Sequence, residues 1–166
     1  MSKKIAYLAM LIALAMIFSY VEALIPINFG IPGVKLGIAN IVILVGLYVL
    51  EPKDVLVISV IRIVLVGILF GNVMSITYSL AGGLFSFLMM WLIKKIKGFS
   101  IVGVSIAGGV SHNIGQLAVA ILVIENIKLI AYIPVLLIAG AVTGLIIGIL
   151  SVRIVPVMKK EVEKYG

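Results

Sequence analysis

Residues 101–124 read "IVGVSIAGGVSHNIGQLAVAILVI". From Ser100 to Ile124 there is no charged residue. Apolar runs of about 20 residues are read as membrane-spanning helices. Inside this one sit three hydrogen-bonding side chains: His112, the chain's single histidine, Asn113 and Gln116. The run sets two questions. One is the solvent of the fold, and the other is the purpose of polar groups placed within it.

Composition answers the first. Hydrophobic residues make up 64% of the chain and charged residues 11%, with a mean hydropathy of +1.39. A soluble domain is about half apolar and a quarter charged. A core in a chain of 166 residues cannot hide this much apolar surface from water, so lipid is the expected solvent. The pattern predicts an all-α, polytopic bundle of six transmembrane helices, over about 5–24, 36–50, 55–70, 76–93, 101–124 and 129–154. The whole of 1–166 is expected to be one integral membrane domain. The first run, interrupted only by Glu22, is long enough to be a retained helix rather than a cleaved leader. The breaks are polar or rich in Gly and Pro: "PINFGIPGVK" (26–35), "EPKD" (51–54), "GNVMS" (71–75), "KKIKGFS" (94–100) and "ENIK" (125–128).

Charge placement predicts the orientation. Of 13 basic residues, Lys3, Lys4, Lys53, Lys94, Lys95, Lys97, Arg153, Lys159, Lys160 and Lys164 fall at the N-terminus, the even-numbered turns and the C-terminus. The positive-inside bias then places both termini in the cytoplasm of a multi-pass protein of the inner (cytoplasmic) membrane. The net charge of +7 is a topology signal, and nucleic acid is not needed to explain it. With no cysteine, disulfides and thiolate chemistry are excluded. The chain has no DDxxD-type acidic motif for a magnesium–diphosphate site and no P-loop for ATP hydrolysis. It has no G-x-S-x-G elbow and no ligand set for a transition metal. No catalytic residue, metal or cofactor is expected.

Polar side chains within a membrane are expensive and face a bundle interior or an aqueous cavity. Assigned depths by this topology, Arg62, His112 and Asn113 lie near the middle. Gln116, one turn from His112 on the same helical face, lies above them. Lys35, Asn40, Asn72 and Tyr78 lie in the outer half, and Glu22 near the outer surface. These eight residues (Lys35, Asn40, Arg62, Asn72, Tyr78, His112, Asn113 and Gln116) are the expected substrate-binding set. They would form a pocket open to the outside and closed below, with 26–35 as its lid. A guanidinium at mid-depth suits a carboxylate or phosphate, so an anionic small molecule is the expected ligand. The competing reading makes Arg62 half of a structural ion pair with Glu22 or Glu125. Two small-residue stripes, Ala9/Ala13 in "AMLIA" and Gly140/Gly144/Gly148 in "GAVTGLIIG", allow close helix approach. Packing within the chain is the plain reading of both, and docking of a partner protein is the alternative, stronger for the alanines.

The segments "IPGVKLGIANIVIL" (31–44), "RIVLVGILFGN" (62–72), "YSLAGGLFSFLMM" (78–90) and "HNIGQLAVA" (112–120) resemble, in order and over almost the whole chain, the bacterial family called heptaprenyl diphosphate synthase component I, or Gx transporter. That family is in turn similar to the substrate-binding S components of energy-coupling-factor (ECF) transporters. The resemblance implies six helices, cytoplasmic termini and an outward-facing site. It also implies an Ala-x-x-x-Ala face that docks a coupling subunit carrying two ATPases, matched here by Ala9 and Ala13. The leading expectation is therefore an S-like component that captures a small molecule for partner ATPases. Two alternatives are a noncatalytic membrane subunit of polyprenyl (heptaprenyl) diphosphate synthesis or a quinone-linked pathway, and a stand-alone secondary transporter. The family name implies a prenyl-synthase subunit, whereas the aspartates that bind allylic diphosphate are missing, so the chain itself is not expected to be an enzyme.

Overall fold

The computed structural model describes residues 2–24 and 37–165, with side chains from 5 to 163 apart from residue 23. Lys35 and the expected lid over 26–35 lie outside the described residues. What is described forms six α-helices: α1 (Ser2–Leu24), α2 (Asn40–Val49), α3 (Pro52–Phe70), α4 (Val73–Lys94), α5 (Ile101–Ile124) and α6 (Ile133–Tyr165), with a 3-10 helix (Ile127–Tyr132) before the last.

Local chemistry sets several helix ends. Pro52 opens α3 at its first turn, where a missing N–H costs least. The Asn72 side chain accepts a hydrogen bond from Ser75 N at 2.8 Å and starts α4. Ser100 does the same for α5 through Gly103 N at 3.1 Å. Lys94 Nζ donates to the Leu47 carbonyl near the end of α2, with its ammonium 4.8 Å from the Tyr48 ring centroid.

Most boundaries fall within a few residues of expectation, and two departures alter the architecture. The second helix has ten residues against the expected 36–50. At 1.5 Å per residue it is only ~15 Å long, half of a bilayer core. It is nonetheless buried from Asn40 to Leu47, so it is a short central helix rather than a full span. The sixth runs on from the expected end at 154 to Tyr165. Pro156 lies within the helix, and the following "MKKEVEKY" consists mostly of good helix formers.

α5 and α6 pack antiparallel, with Val102 beside Gly148, Ile106 beside Gly144 and Gly109 beside Gly140. The glycine stripe of α6 is thus packed inside the chain, as its plain reading expects. A Cβ on Gly144 would come 2.7 Å from both Ser105 O and Ile106 Cα. α4 packs antiparallel to α5 through Gly82, Gly108 and Gly115, tied by Ser86 Oγ donating to Gly108 O at 2.8 Å. α1 lies chiefly against α3. Between α1, α2 and α6 runs an apolar groove of about 110 Å³ lined by Leu11, Phe18, Val42, Val45, Ile154 and Met158. Tyr7, near the start of α1, meets Met158, near the end of α6, so both termini lie at one end of the bundle. Lys94 and Lys159, which repel each other, lie at that end too.

Four stretches are long and apolar enough to cross a membrane: Ile5–Glu22, Val73–Lys94, Ile101–Ile124 and Ile127–Glu163. α3 has the length but carries Lys53, Asp54 and Arg62. The outer surface is apolar, with Ile17, Ile68, Leu122, Ile138 and Val157 among its exposed residues, while Glu22, Asn40, Arg62, His112, Asn113 and Gln116 are buried. This inversion of the soluble pattern belongs to a protein dissolved in lipid.

The Gly144 geometry has a direct consequence. Gly144→Val should cost about 1–3 kcal/mol or more, because the neighbour that must yield is backbone. Ala13→Leu on the exposed face of α1 should leave the unfolding temperature in detergent unchanged. Thermal melts of the two variants check both expectations.

Candidate functional site

The polar centre is built from α1, the segment leading into α2, α3, α4 and α5. Ser19 and Glu22, three apart on α1, face inward together with Arg62 of α3, Ser75 and Ser79 of α4 and His112 of α5. These residues and Gly37 line one cavity of about 20 Å³, room for a water molecule. Arg62 and His112, far apart in sequence, thus share one cavity at the level of Gly37.

The links within it are specific. The Glu22 carboxylate accepts from two successive backbone amides, Gly37 N at 2.5 Å and Ile38 N at 3.1 Å. Gly37 has φ +83°, the left-handed conformation glycine adopts without a Cβ penalty. A Cβ there would meet Asn40 Nδ2 at 2.9 Å and His112 Cδ2 at 3.3 Å, which places Asn40 and His112 side by side. Arg62 NH1 donates to Ser19 Oγ at 3.1 Å, and Glu22 acts on the guanidinium electrostatically. Arg62 Nε is buried and has no hydrogen-bond partner among the described residues.

The expected site residues therefore divide. Arg62 and His112 line the cavity, and Asn40 adjoins it at Gly37. Asn40 lies level with His112 rather than near the outer end, because α2 starts at mid-bundle. Asn113 turns to the opposite side of α5, where its Nδ2 donates to Leu136 O of α6 at 2.7 Å. Gly140 leaves room for that contact. Gln116, fully buried, packs on Gly82 of α4. Tyr78 is buried in a separate apolar cluster with Leu117, Ala120 and Leu136. Asn72 is exposed and acts as a helix cap. Glu125 is exposed at the end of α5 with φ 52°, leaving Glu22 as the acid beside Arg62.

Glu22 and Ser19 are the residues that sequence reasoning left out of the binding set. Glu22 sits near the end of a long apolar run and reads as a rim charge, yet it is only 7% exposed. The available signal was its spacing of three from Ser19, which puts both on one face of α1.

Fold and site define a multi-helix membrane protein with a small charged centre. The chain belongs to the heptaprenyl diphosphate synthase component I family, whose model matches residues 11–154. Component I is a noncatalytic subunit, in agreement with the expectation that the chain is not itself an enzyme. No curated protein matches the chain significantly, and no solved structure does.

Two measurements test the division of roles. Arg62→Ala should cost about 3–5 kcal/mol by removing the cation beside the buried Glu22 carboxylate, and combining it with Glu22→Gln should cost less than the sum of the single changes. Asn72→Ala should cost about 1 kcal/mol through the lost cap and leave ligand binding unchanged. Denaturation of each variant, with a double-mutant cycle for the first pair, reads both out.

Proposed function

We propose that the chain is a noncatalytic membrane subunit supporting heptaprenyl diphosphate synthesis or a quinone-linked pathway, with its charged centre serving as a site for the anionic head of a small molecule. Family membership over residues 11–154 carries this reading. The missing aspartate motif supports it, since prenyl transfer then falls to a partner. So does the buried Arg62, whose guanidinium suits a carboxylate or phosphate. Asn40 and His112 would add hydrogen-bonding groups to the same ligand, and Lys35 would add a second cation. Asn113, Gln116 and Tyr78 would hold α5 against its neighbours, and Asn72 would hold the start of α4. The gathering of Lys94 and Lys159 at the end that holds both termini supports a cytoplasmic placement of that end in the cell's inner membrane.

The test is prenyl transfer by the partner synthase, reconstituted with and without this chain in lipid. Product formation should depend on the chain and drop several-fold with Arg62→Ala. Equal activity in its absence would overturn the reading.

A second reading, the S-like component of an energy-coupling-factor transporter, is favoured by one observation. Ala9 and Ala13 are exposed on α1, which leaves a small-residue face for a coupling subunit and its ATPases. Co-purification of such partners, lost with Ala9→Leu or Ala13→Leu, would support it over the first. Assembly and uptake unaffected by both substitutions would exclude the docking face. Uptake by the purified chain alone would favour a secondary transporter instead.

A further inference from the structure

We propose that the backbone amides of Gly37 and Ile38, together with the Arg62 guanidinium, form an oxyanion-binding site that the chain fills with its own Glu22 carboxylate. The inference rests on reading the charged centre as a ligand site and adds what regulates it: an external carboxylate or phosphate group binds only when Glu22 vacates.

The geometry is that of a bound anion. Two successive N–H groups converge on one carboxylate at 2.5 and 3.1 Å. Their convergence depends on the left-handed Gly37, φ +83°, and consecutive amides in such a turn form a concavity that holds anions. A second observation points to the same spot independently. Arg62 is 6% exposed, lines the same cavity and keeps Nε without a hydrogen-bond partner among the described residues. A planar fork with an open donor can still take an oxyanion. The cavity of about 20 Å³ is large enough for water and too small for a carboxylate in addition to Glu22. Removing the Glu22 side chain beyond Cβ opens the volume of one small carboxylate on the same donors.

Purified chain in detergent decides the point by thermal unfolding, followed through the single tryptophan, Trp91. Glu22→Ala should melt about 10 °C below the parent. Formate, acetate or inorganic phosphate at tens of millimolar should recover at least half of the loss, with chloride at equal ionic strength as the control. The parent and Glu22→Gln, whose side chain still fills the space, should gain nothing from oxyanions beyond the chloride control. Glu22→Ala combined with Arg62→Ala should lose the rescue. Equal stabilisation of the parent and Glu22→Ala, or rescue by chloride alone, overturns the proposal. If Glu22→Ala is not recovered folded, purification is repeated with each oxyanion present throughout. Recovery with any of them supports the site, and failure with all three overturns it. The ranking of formate and acetate against phosphate separates a carboxylate site from a phosphate site. Rescue without any effect of the chain on prenyl transfer would leave this site standing and remove the synthase-subunit reading.

Discussion

A guanidinium enclosed by apolar helices is the constraint on which the rest of this structure depends. Arg62 is only 6% exposed, and an isolated cation in such a setting costs several kcal/mol. Three elements contribute to its accommodation. α1 supplies Ser19 and Glu22, α5 supplies His112 to the same cavity, and the entry to α2 supplies the amides that hold Glu22 in place. The charged centre therefore ties α1, α2, α3 and α5 together at one level. It gives the bundle a register that apolar contacts alone, which tolerate sliding, would define less sharply.

Helix packing in lipid has no hydrophobic driving force to draw on, since the solvent is as apolar as the side chains. The chain compensates in two ways. Glycines bring α5 close to α6 and α4 close to α5, so that backbone packs on backbone. Buried polar side chains then bridge the close-set pairs, Asn113 to Leu136 and Ser86 to Gly108, and Lys94, exposed at the end of α4, reaches Leu47 of α2. Asn113, a ligand contact in a linear reading, makes one of these bridges.

This explains what was legible in the sequence and what was not. Length, hydropathy and breaks at Pro and Gly are local properties, and they yielded the six helices. The glycine spacing of α6 is periodic along a single helix, so its packing role could also be read. The site was legible in part. Arg62 and His112 stand out because polar groups are rare in their surroundings, and their shared depth follows from topology. Which way a polar side chain turns about its helix axis depends on the neighbours of that helix. His112 and Asn113, adjacent in sequence, point to different neighbours, and neither periodicity nor composition distinguishes them. Asn72 misled for a related reason, since an asparagine at a helix start satisfies its own backbone and needs no guest. The short α2 misled the depth of Asn40, because an apolar stretch does not disclose where within it the helix begins.

The close glycine contacts of α4, α5 and α6 have a mechanical consequence. Backbone packed against backbone has no side chains to rearrange, so these three helices behave as one stiff slab. α1 is attached differently. It rests mainly on α3, meets the slab across an open groove, and is held by polar links at Ser19 and Glu22. Such links break and re-form locally, whereas the glycine seams do not. The molecule thus joins two kinds of seam, close backbone packing among α4, α5 and α6 and side-chain contacts between α1 and the rest.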